Sequence, residues 1–304
     1  MRWVLLLAAL GCGGCAIVYP AAGTSVGTQG DARVGQYVTS DWYLEGASYW
    51  IEGPEGLVLI DTQLVPTATR KVVNDAEWRT GKKVKLAIVL HPNPDRFNGT
   101  GWLREKGIRV VTSEQVREAI PAAHRRWFPV YGTKYERGLY PKEAVLPESF
   151  GSTPRTLSAA GLTLKAHVLG AGCSPAHVVI EWEGHLFTGD LVSHDAHGWF
   201  DGGSTEAWLQ RLDELRALNP KWIHPGHGTT GGPELLEQQT AFLKDVVQAV
   251  AAERPRSLSG EHPDALGRVA DSLTRHYPHY HRGFLMPLLR AEWGRQATRR
   301  VSAP

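Results

Sequence analysis

Apolar and polar positions alternate along the chain in blocks that predict strands and helices in turn. The run "VKLAIVL", residues 84–90, is apolar throughout, which is typical of a strand buried on both faces. Before it, "SYWIEG" and "GLVLIDT" flank a Pro-Glu-Gly turn, a pattern typical of a β-hairpin. Residues 66–80 have helical character and are followed by Gly81, a residue type common at helix C-termini. Strands and helices therefore alternate from about residue 37.

This alternation is interrupted once and then resumes. Residues 99–106 predict a helix, "IRVVTS" a strand and "SEQVREAI" another helix. Residues 121–155 mix Pro, Tyr, Trp and Gly without a clear period, and we interpret them as an insertion that forms a lid or a pocket wall. The later predicted elements are the strands "LTLKAHVL", "HVVIEWEG", "HLFTGD" and "KWIHPGHG", helices at 204–217 and 233–252, and a helical tail from 256 to 304. The order of elements predicts the α/β class.

The overall composition is that of a globular protein. The 304 residues are 42% hydrophobic and 21% charged, enough for one large core with a small appendage. The net charge is +2, which gives no electrostatic reason to expect nucleic acid as a partner.

The first twenty residues differ in kind from the rest. A short apolar stretch from Val4 to Leu10 follows Arg2, and it is far shorter than the roughly 18 residues that span a bilayer. Small residues precede Cys12 and Cys15, which resembles the lipobox of bacterial lipoproteins. We therefore expect residues 1–20 to be a leader, and the protein to be a cell envelope lipoprotein that faces the periplasm and contacts the membrane only through a lipid anchor. Secretion without lipid and an uncleaved anchor are the alternatives.

Residues 21–36, between the leader and the first predicted strand, are rich in Gly, Ser, Thr and Ala and predict a tether. Beyond the leader, Cys173 is the single cysteine, so the body of the chain has no internal disulfide framework. Cys173 is then either a small buried hydrophobic residue or a thiol with a function. A cluster of His276, His279 and His281 could bind a metal, but the neighbouring proline and tyrosines fit a packed loop better.

Polar residues follow or end several of the predicted apolar strands, beside glycines that allow close backbone approach. In α/β sheets, functional sites are usually built at such strand ends. Taken singly, each residue has a structural explanation, such as capping a turn. Together they form an ordered set: Asp61, the segment 91–96, Cys173, Asp190 and His227.

The segments "HPNPDR", "GAGCSP", "FTGD" and "HPGHG", in this order after the hairpin that ends "LIDT", resemble the motifs of the metallo-β-lactamase superfamily. The resemblance covers about residues 37–245. It implies a four-layered αββα sandwich with a metal site at one edge between the sheets, followed here by a C-terminal helical extension over 246–304.

When its positions are matched to the family motifs, the resemblance implies two sets of metal ligands, with Asp190 shared between them. In the first set, Asn93 and Cys173 stand with His91 where the family has three histidines. In the second, Arg96 replaces a family histidine. The residues that keep the family's identity are His91, Asp95, Asp190 and His227.

These departures leave room for at most one zinc ion. A cysteine thiolate is a good zinc ligand, whereas asparagine is a weak one and arginine offers only donors. Two ligand sets stay open, one of His91 and Cys173 with Asp190, the other of Asp95 and His227 with Asp190.

The resemblance implies a single-zinc hydrolase that cleaves an ester, thioester, lactone or lactam of a small-molecule substrate. In this interpretation Asp95 orients the attacking water or accepts its proton, Arg96 shares the developing oxyanion, and Asn93 is an added donor. Trp127 and Trp199 are candidates for an aromatic wall, although core packing explains most tryptophans.

Two other interpretations remain open. The first is a catalytically silent member that binds a ligand or an envelope protein, which the departures favour. The second is metal-free chemistry with Cys173 as nucleophile and a histidine as base, with His177 four residues on.

Overall fold

The computed structural model of the chain describes residues 23–27, 30–135, 138–254, 263–280 and 285–301. The expected leader at 1–20 lies outside these residues, as does His281 of the histidine cluster. Within the described part of the chain, no helix is long and apolar enough to cross a membrane.

A seven-stranded sheet is built from the first half of the chain. Its strands lie in sequence order, antiparallel from the first to the fourth and parallel from the fourth to the seventh. They are β1 (Gly23–Gly27), β2 (Val34–Thr39), β3 (Ala47–Gly53), β4 (Gly56–Ile60), β5 (Val84–Ile88), β6 (Arg109–Thr112) and β7 (Glu148–Ser149).

A second sheet of five strands follows, in which the chain runs antiparallel until its last pair. The strands are β8 (Arg155–Ala159), β9 (Leu162–Leu169), β10 (His177–Trp182), β11 (His185–Ser193) and β12 (Trp222–His227). Their order across the sheet is β12-β11-β10-β9-β8, and β11 and β12 are parallel. The parallel pair is possible because a helix connects the two strands.

Helices cover the outer faces of both sheets. They are α1 (Pro66–Thr80), α2 (Pro94–Phe97), α3 (Thr100–Glu105), α4 (Glu114–Lys134), α5 (Thr205–Ala217), α6 (Glu234–Glu253), α7 (Pro263–His276) and α8 (Leu285–Val301), with a 3₁₀ turn at Asp41–Tyr43. One apolar cluster joins the two sheets, with the rings of Tyr49 and Phe187 5.6 Å apart. A second cluster joins the outer face of the five-stranded sheet to α5–α8. The result is the αββα sandwich that the resemblance implies, with C-terminal helices added.

The elements with strong local signals are confirmed. Helix α1 spans the predicted residues, and Gly81 ends it in the left-handed conformation, with φ of 69° and its N–H donated to Glu77 O. Strand β9 has the predicted bounds, with alternating buried residues such as Leu162 and Leu164.

Helix α4 differs from its prediction, because it continues to Lys134 instead of ending near residue 120. Pro121 and Pro129 lie inside it, at a cost in backbone hydrogen bonds. Burial of one face offsets that cost, since Val116, Ile120, Ala123, His124 and Tyr131 are buried at helical spacing.

The tether predicted at 21–36 is wrong where the structure describes it. Gly23–Gly27 forms β1, which pairs antiparallel with β2 from Gly23 opposite Thr39 to Gly27 opposite Gly35. Composition alone did not show this strand, because an edge strand is held by backbone hydrogen bonds that small residues make as well as large ones.

Candidate active site

The strand ends meet at one edge of the sandwich, where the two sheets touch. Asp61 directly follows β4, and the segment 91–96 follows β5, its parallel neighbour. From the other sheet, Asp190 lies in β11 and His227 ends β12. A backbone bridge between Gly46 and His227 joins the two sheets at this point. Four distant parts of the sequence are thereby brought together.

The guanidinium of Arg96 lies at the centre of this edge. Its Nη2 atom is 2.5 Å from Asp190 Oδ1, 3.0 Å from Asp95 Oδ2 and 3.0 Å from His227 Nε2. Arg96 is fully buried and lies in the short helix α2. This helix begins with Pro94, whose ring fixes the backbone angle φ near the helical value. One cationic side chain therefore contacts two carboxylates and an imidazole.

Backbone carbonyls hold the same guanidinium. Arg96 Nη1 donates to Ala47 O at 3.0 Å, and Nη2 donates to Gly226 O at 3.1 Å. These carbonyls come from different sheets. The orientation of Arg96 is thus fixed by main-chain atoms as well as by its charged partners.

Asp95, Asp190 and His227 form a group that could hold a metal ion. Each offers one ligand atom, these atoms lie within 4.8 Å of one another, and all three residues are buried. Asp190 Oδ1 is 3.4 Å from His227 Nε2. Neither oxygen of Asp95 accepts a hydrogen bond from the described residues, although one forms the ion pair with Arg96. The unsatisfied oxygens of Asp95, beside a second carboxylate and an imidazole, are ligand types that suit zinc. Arg96 Nη2 lies within 3.0 Å of all three residues, so a cation held by them would displace this nitrogen.

The charged groups at this edge shift one another's pKa values. Burial opposes ionisation of Asp190, but Arg96, His91 and His227 hold its pKa well below the usual range. For Asp61 burial dominates and raises the pKa to about 7, even though Arg96 Nη1 lies 3.7 Å from its Oδ2 atom. Arg96 stays protonated, since its carboxylate neighbours raise its pKa against the effect of burial.

His91 and Cys173 do not complete a second ligand group. His91 Nε2 accepts the backbone N–H of Asp190 at 3.4 Å and lies 3.3 Å from Asp190 Oδ2. Cys173 Sγ lies 3.7 Å from His177 Nε2 and is fully buried. Among the described residues, His91, Cys173 and Asp190 are not found as a set with all ligand atoms within 4.8 Å. Of the two ligand sets left open by the sequence, the structure assembles only the one with Asp95 and His227.

Asn93 is a hydrogen-bonding residue in this structure. Its Nδ2 donates to Asp190 Oδ2 at 3.3 Å, and its Oδ1 accepts from Ser174 Oγ at 3.0 Å. The amide oxygen that could have faced a metal is thus engaged by Ser174. The sequence analysis gave Ser174 no role, although it lies next to Cys173 in the quoted motif.

Cys173 has the properties of a buried hydrophobic residue. Burial raises its pKa well above that of a free thiol, and the nearby Asp190 charge adds to the effect. Burial also holds the pKa of His177 well below its usual value, with the neighbouring His91 acting in the same direction. A thiolate nucleophile needs the opposite environment. The interpretation of Cys173 as a nucleophile therefore finds no support here.

The comparisons with known proteins agree with this geometry. The family model described as "Metallo-beta-lactamase superfamily" matches residues 43–227, more than half of the chain. The chain belongs to the metallo-β-lactamase superfamily. Asp95, Asp190 and His227 all lie within the matched region.

Relatives in this superfamily are distant in sequence. A metallo-β-lactamase type 2 of Bacteroides fragilis is 25% identical over 201 residues, 64% of this chain and 73% of that protein. One of Bacillus cereus is 23% identical over 198 residues, 62% of this chain and 70% of that protein. Among solved structures, the metallo-β-lactamase from Pontibacter korlensis has a TM-score of 0.60 and 21% identity, covering 73% of this chain and 99% of that one. The last comparison shows the fold alone.

Membership gives the site its chemical context, because the metallo-β-lactamase superfamily consists largely of metal-dependent hydrolases. The chain keeps a candidate metal group, and a cavity of about 190 Å³ opens beside His227. The cavity is bounded by residues 44–45 on one side and 194–199 on the other. Trp199, a candidate wall residue in the sequence analysis, is among the lining residues. The sequence analysis gave no role to the rest of the two segments, since neither carries a family motif.

The histidine cluster of the tail lies apart from this edge. His276 Nε2 is 3.6 Å from Asp245 Oδ2, to which Tyr277 also donates a hydrogen bond at 2.6 Å. Over the described residues no metal group includes His276 or His279.

Proposed function

We propose that the protein is a hydrolase that holds one divalent cation, zinc by preference, between Asp95, Asp190 and His227. It cleaves an ester, thioester, lactone or lactam bond of a small-molecule substrate. The observation that carries the proposal is the convergence of three ligand atoms within 4.8 Å, two of them carboxylate oxygens. The type 2 metallo-β-lactamases among the relatives make a lactam one candidate bond.

The charge balance at the edge supports a bound cation. Asp95 and Asp190 are buried with a single guanidinium, and Asp61 adds a carboxyl whose pKa is about 7. Buried carboxylates without full compensation are costly. A divalent cation beside Asp95 would offset the excess negative charge.

Bound at this group, the cation would activate a water molecule and polarise the carbonyl of the substrate. Asp95 then has an oxygen without a hydrogen bond, able to accept a proton from that water. The side-chain amide of Asn93 donates a hydrogen bond to Asp190, so the role of Asn93 is to orient this metal ligand.

Arg96 acts as a positioning residue in this proposal. It is fully buried and contacts Asp95, Asp190 and His227 at once, so before a cation binds it holds the three ligands near one another. Since none of its surface is exposed, it does not reach a substrate oxyanion directly. The role expected from the sequence, sharing the oxyanion, is replaced by orientation of the ligands.

One observation favours a second candidate function. The Nη2 atom of Arg96 lies within 3.0 Å of all three candidate ligand residues and already supplies a positive charge there. A protein that uses this charge in place of a metal would be a catalytically silent member that binds a ligand or an envelope protein. An exported, lipid-anchored location suits both candidates and is part of the proposal.

The amount of metal bound per chain distinguishes the hydrolase from the catalytically silent candidate. The full-length chain is purified with zinc present, and bound metal is measured by mass spectrometry for the wild type, Asp190→Asn, His227→Ala and Cys173→Ala. We expect about one zinc per chain, lost in the first two variants and kept in Cys173→Ala, together with hydrolysis of a chromogenic ester or lactam. Absence of zinc and of turnover in the wild type would leave the silent candidate.

A further inference from the structure

Two histidines outside the candidate metal group form a buried pair between the sheets. His185 begins β11 and His224 lies in the neighbouring strand β12, and His185 Nδ1 is 2.9 Å from His224 Nε2. Their exposed fractions are 3% and 0%. The His224 ring stacks on Phe187 with centroids 4.2 Å apart and meets Tyr49 of the other sheet at 5.1 Å. Two ionisable rings therefore share a hydrogen bond in surroundings that solvate a charge poorly.

A chain of polar groups extends from both ends of this pair. His185 Nε2 lies 3.6 Å from Oδ2 of Asp31, which precedes β2 and has a partly exposed side chain. His224 Nδ1 lies 2.9 Å from Oγ1 of Thr230, a buried residue in the segment that follows β12. The chain therefore connects the surface at Asp31 to the interior at Thr230.

Asp31 sets the direction of the hydrogen bonds in the chain. An imidazole nitrogen that faces a carboxylate is favoured as N–H, because a bare lone pair there would meet negative charge. His185 Nε2 then carries the hydrogen, and His185 Nδ1 accepts from His224 Nε2–H. His224 Nδ1 in turn accepts from the hydroxyl of Thr230. In the neutral pair both rings therefore hold their hydrogen at Nε2.

One added proton reverses the bond at the inner end of the chain. In the neutral pair, His185 Nδ1 and His224 Nδ1 are both acceptors, so a proton taken from water must go to one of them. If it stays on His224, Nδ1 becomes a donor; if it stays on His185, the hydrogen of His224 moves from Nε2 to Nδ1. In both cases Thr230 Oγ1 must accept, and its own hydrogen turns to another group, such as the Tyr49 hydroxyl within hydrogen-bonding distance.

The surroundings compensate this added charge only weakly. The charged or titratable groups that face the pair are Asp31, Arg33, Glu183 and Tyr49. Arg33 Nη2 already engages Asp31 Oδ2 at 2.6 Å and Glu183 Oε2 at 2.7 Å. Burial lowers the pKa of His185 despite Asp31, and burial with the neighbouring His185 holds the pKa of His224 well below its usual value.

We propose that Asp31, His185, His224 and Thr230 form an acid-sensitive latch between the two sheets. At neutral pH the pair is uncharged and its hydrogen bonds run in one direction. A proton taken up in acid reverses the bond to Thr230 and places a charge among apolar rings, which loosens β11 and β12 from the other sheet. The same strands carry Asp190 and His227 further along, so the framework of the site becomes sensitive to pH whether or not a metal is bound.

Stability as a function of pH tests the latch. An unfolded histidine takes up a proton near about pH 6.5 and the buried pair resists it, so the contribution of the pair is present above this pH and lost as pH falls. The full chain is unfolded with urea and a chelator for the wild type and His224→Gln, in which the amide keeps an N–H donor but takes up no proton. From about pH 7.5 to about pH 5, the unfolding equilibrium constant should rise at least about tenfold more in the wild type.

A matched control and a local measurement separate the latch from a general effect of acid. His279→Gln replaces an exposed histidine of the tail and should respond to acid as the wild type does. Comparing the variants with the wild type removes the contributions of other titrating groups such as Asp61. Hydrogen exchange, corrected for the intrinsic effect of pH, should become at least about tenfold faster in acid for amides of residues 222–231 and stay unchanged in β5.

Nitrogen NMR of the histidine rings in the wild type tests the direction of the chain. At neutral pH, His185 and His224, assigned through their backbone signals, should both show the Nε2–H tautomer, and in acid His224 should carry a hydrogen at Nδ1. An Nδ1–H tautomer in either ring at neutral pH would overturn the inference. So would an equal acid response of wild type and His224→Gln, or equal changes of exchange in residues 222–231 and β5. The NMR and exchange measurements use the wild type, so they decide the matter even if His224→Gln does not fold.

Discussion

Arg96 Nη2 lies 2.5 Å from Asp190 Oδ1, which links the segment after β5 in one sheet to β11 in the other. Both side chains are fully buried. The pair is therefore a fixed internal connection between the two sheets. Its loss should lower the free energy of unfolding and also change the geometry of the site.

Replacing Arg96 by methionine should destabilise the metal-free protein by about 3–5 kcal/mol, because it leaves Asp95 and Asp190 buried without their cation. Urea unfolding in the presence of a chelator measures the change. Arg109→Met is the control, since Arg109 and Glu148 form an exposed pair that should contribute less than about 1 kcal/mol. Equal losses in the two variants would contradict the role given to Arg96.

Gly226→Ala should weaken metal binding, because it displaces Asp190 and the backbone of β11 beside it. A Cβ atom at Gly226 would lie 2.2 Å from Asp190 Oδ1, 2.7 Å from Gly189 C and 2.8 Å from Asp190 N, so the carboxylate and its backbone must move. Displacement of an oriented ligand should lower metal affinity by about 10–100-fold. Competition with a fluorescent zinc chelator measures it, and Gly267→Ala, where a Cβ meets nothing within 4 Å, is the control. Unchanged affinity would mean that Asp190 is not a ligand.

Cys173 should be unreactive in the folded protein. The thiol is fully buried and its pKa is raised by burial, so the thiolate population at pH 8 is small. Iodoacetamide labelling of the Cys173 peptide, followed by mass spectrometry, should be at least about tenfold slower than in urea-unfolded protein. Rapid labelling that abolishes activity would revive the interpretation of Cys173 as a nucleophile.

Asp61 should make the stability of the metal-free protein fall as pH rises. Its pKa is 3.8 as a free side chain and about 7 when buried in the folded protein, so the folded state holds the extra proton between these values. The contribution of Asp61 is fully present below pH 4 and is lost as pH rises through 7, by at most about 4 kcal/mol. Unfolding free energies of wild type and Asp61→Asn between pH 4 and 8 measure it. Asparagine suits the φ of 62° at this position, and parallel curves for the two proteins would refute the prediction.

Much of the fold could be predicted because its signals are local. Strand β9 alternates buried and exposed residues along its length, and α1 ends at a glycine in the left-handed conformation. Helix α4 was missed beyond residue 120 because Pro121 and Pro129 are strong breakers. The spacing of Ala123, His124 and Tyr131 continues the buried stripe of the first half, and this signal could have extended the prediction.

The site could be predicted only in part. Motif order identified Asp95, Asp190 and His227, but it also gave His91 and Cys173, and the sequence could not choose between the two sets. That choice depends on distances between strands of different sheets. Cys173 Sγ lies 3.7 Å from His177 Nε2, and Ser174 Oγ donates to Asn93 Oδ1; no sequence spacing encodes these contacts.

The connection between Arg96 and Asp190 also bears on how the chain folds. Arg96 comes from the first half of the sequence and Asp190 from the second, 94 positions apart. If the second half became compact alone, it would bury Asp190 without its cation, which is strongly unfavourable, and the first half alone would lose one of the two carboxylates that contact Arg96 Nη2. The two halves are therefore expected to fold as a single cooperative unit, and a chain divided between β7 and β8 should yield fragments that stay unfolded until they are mixed.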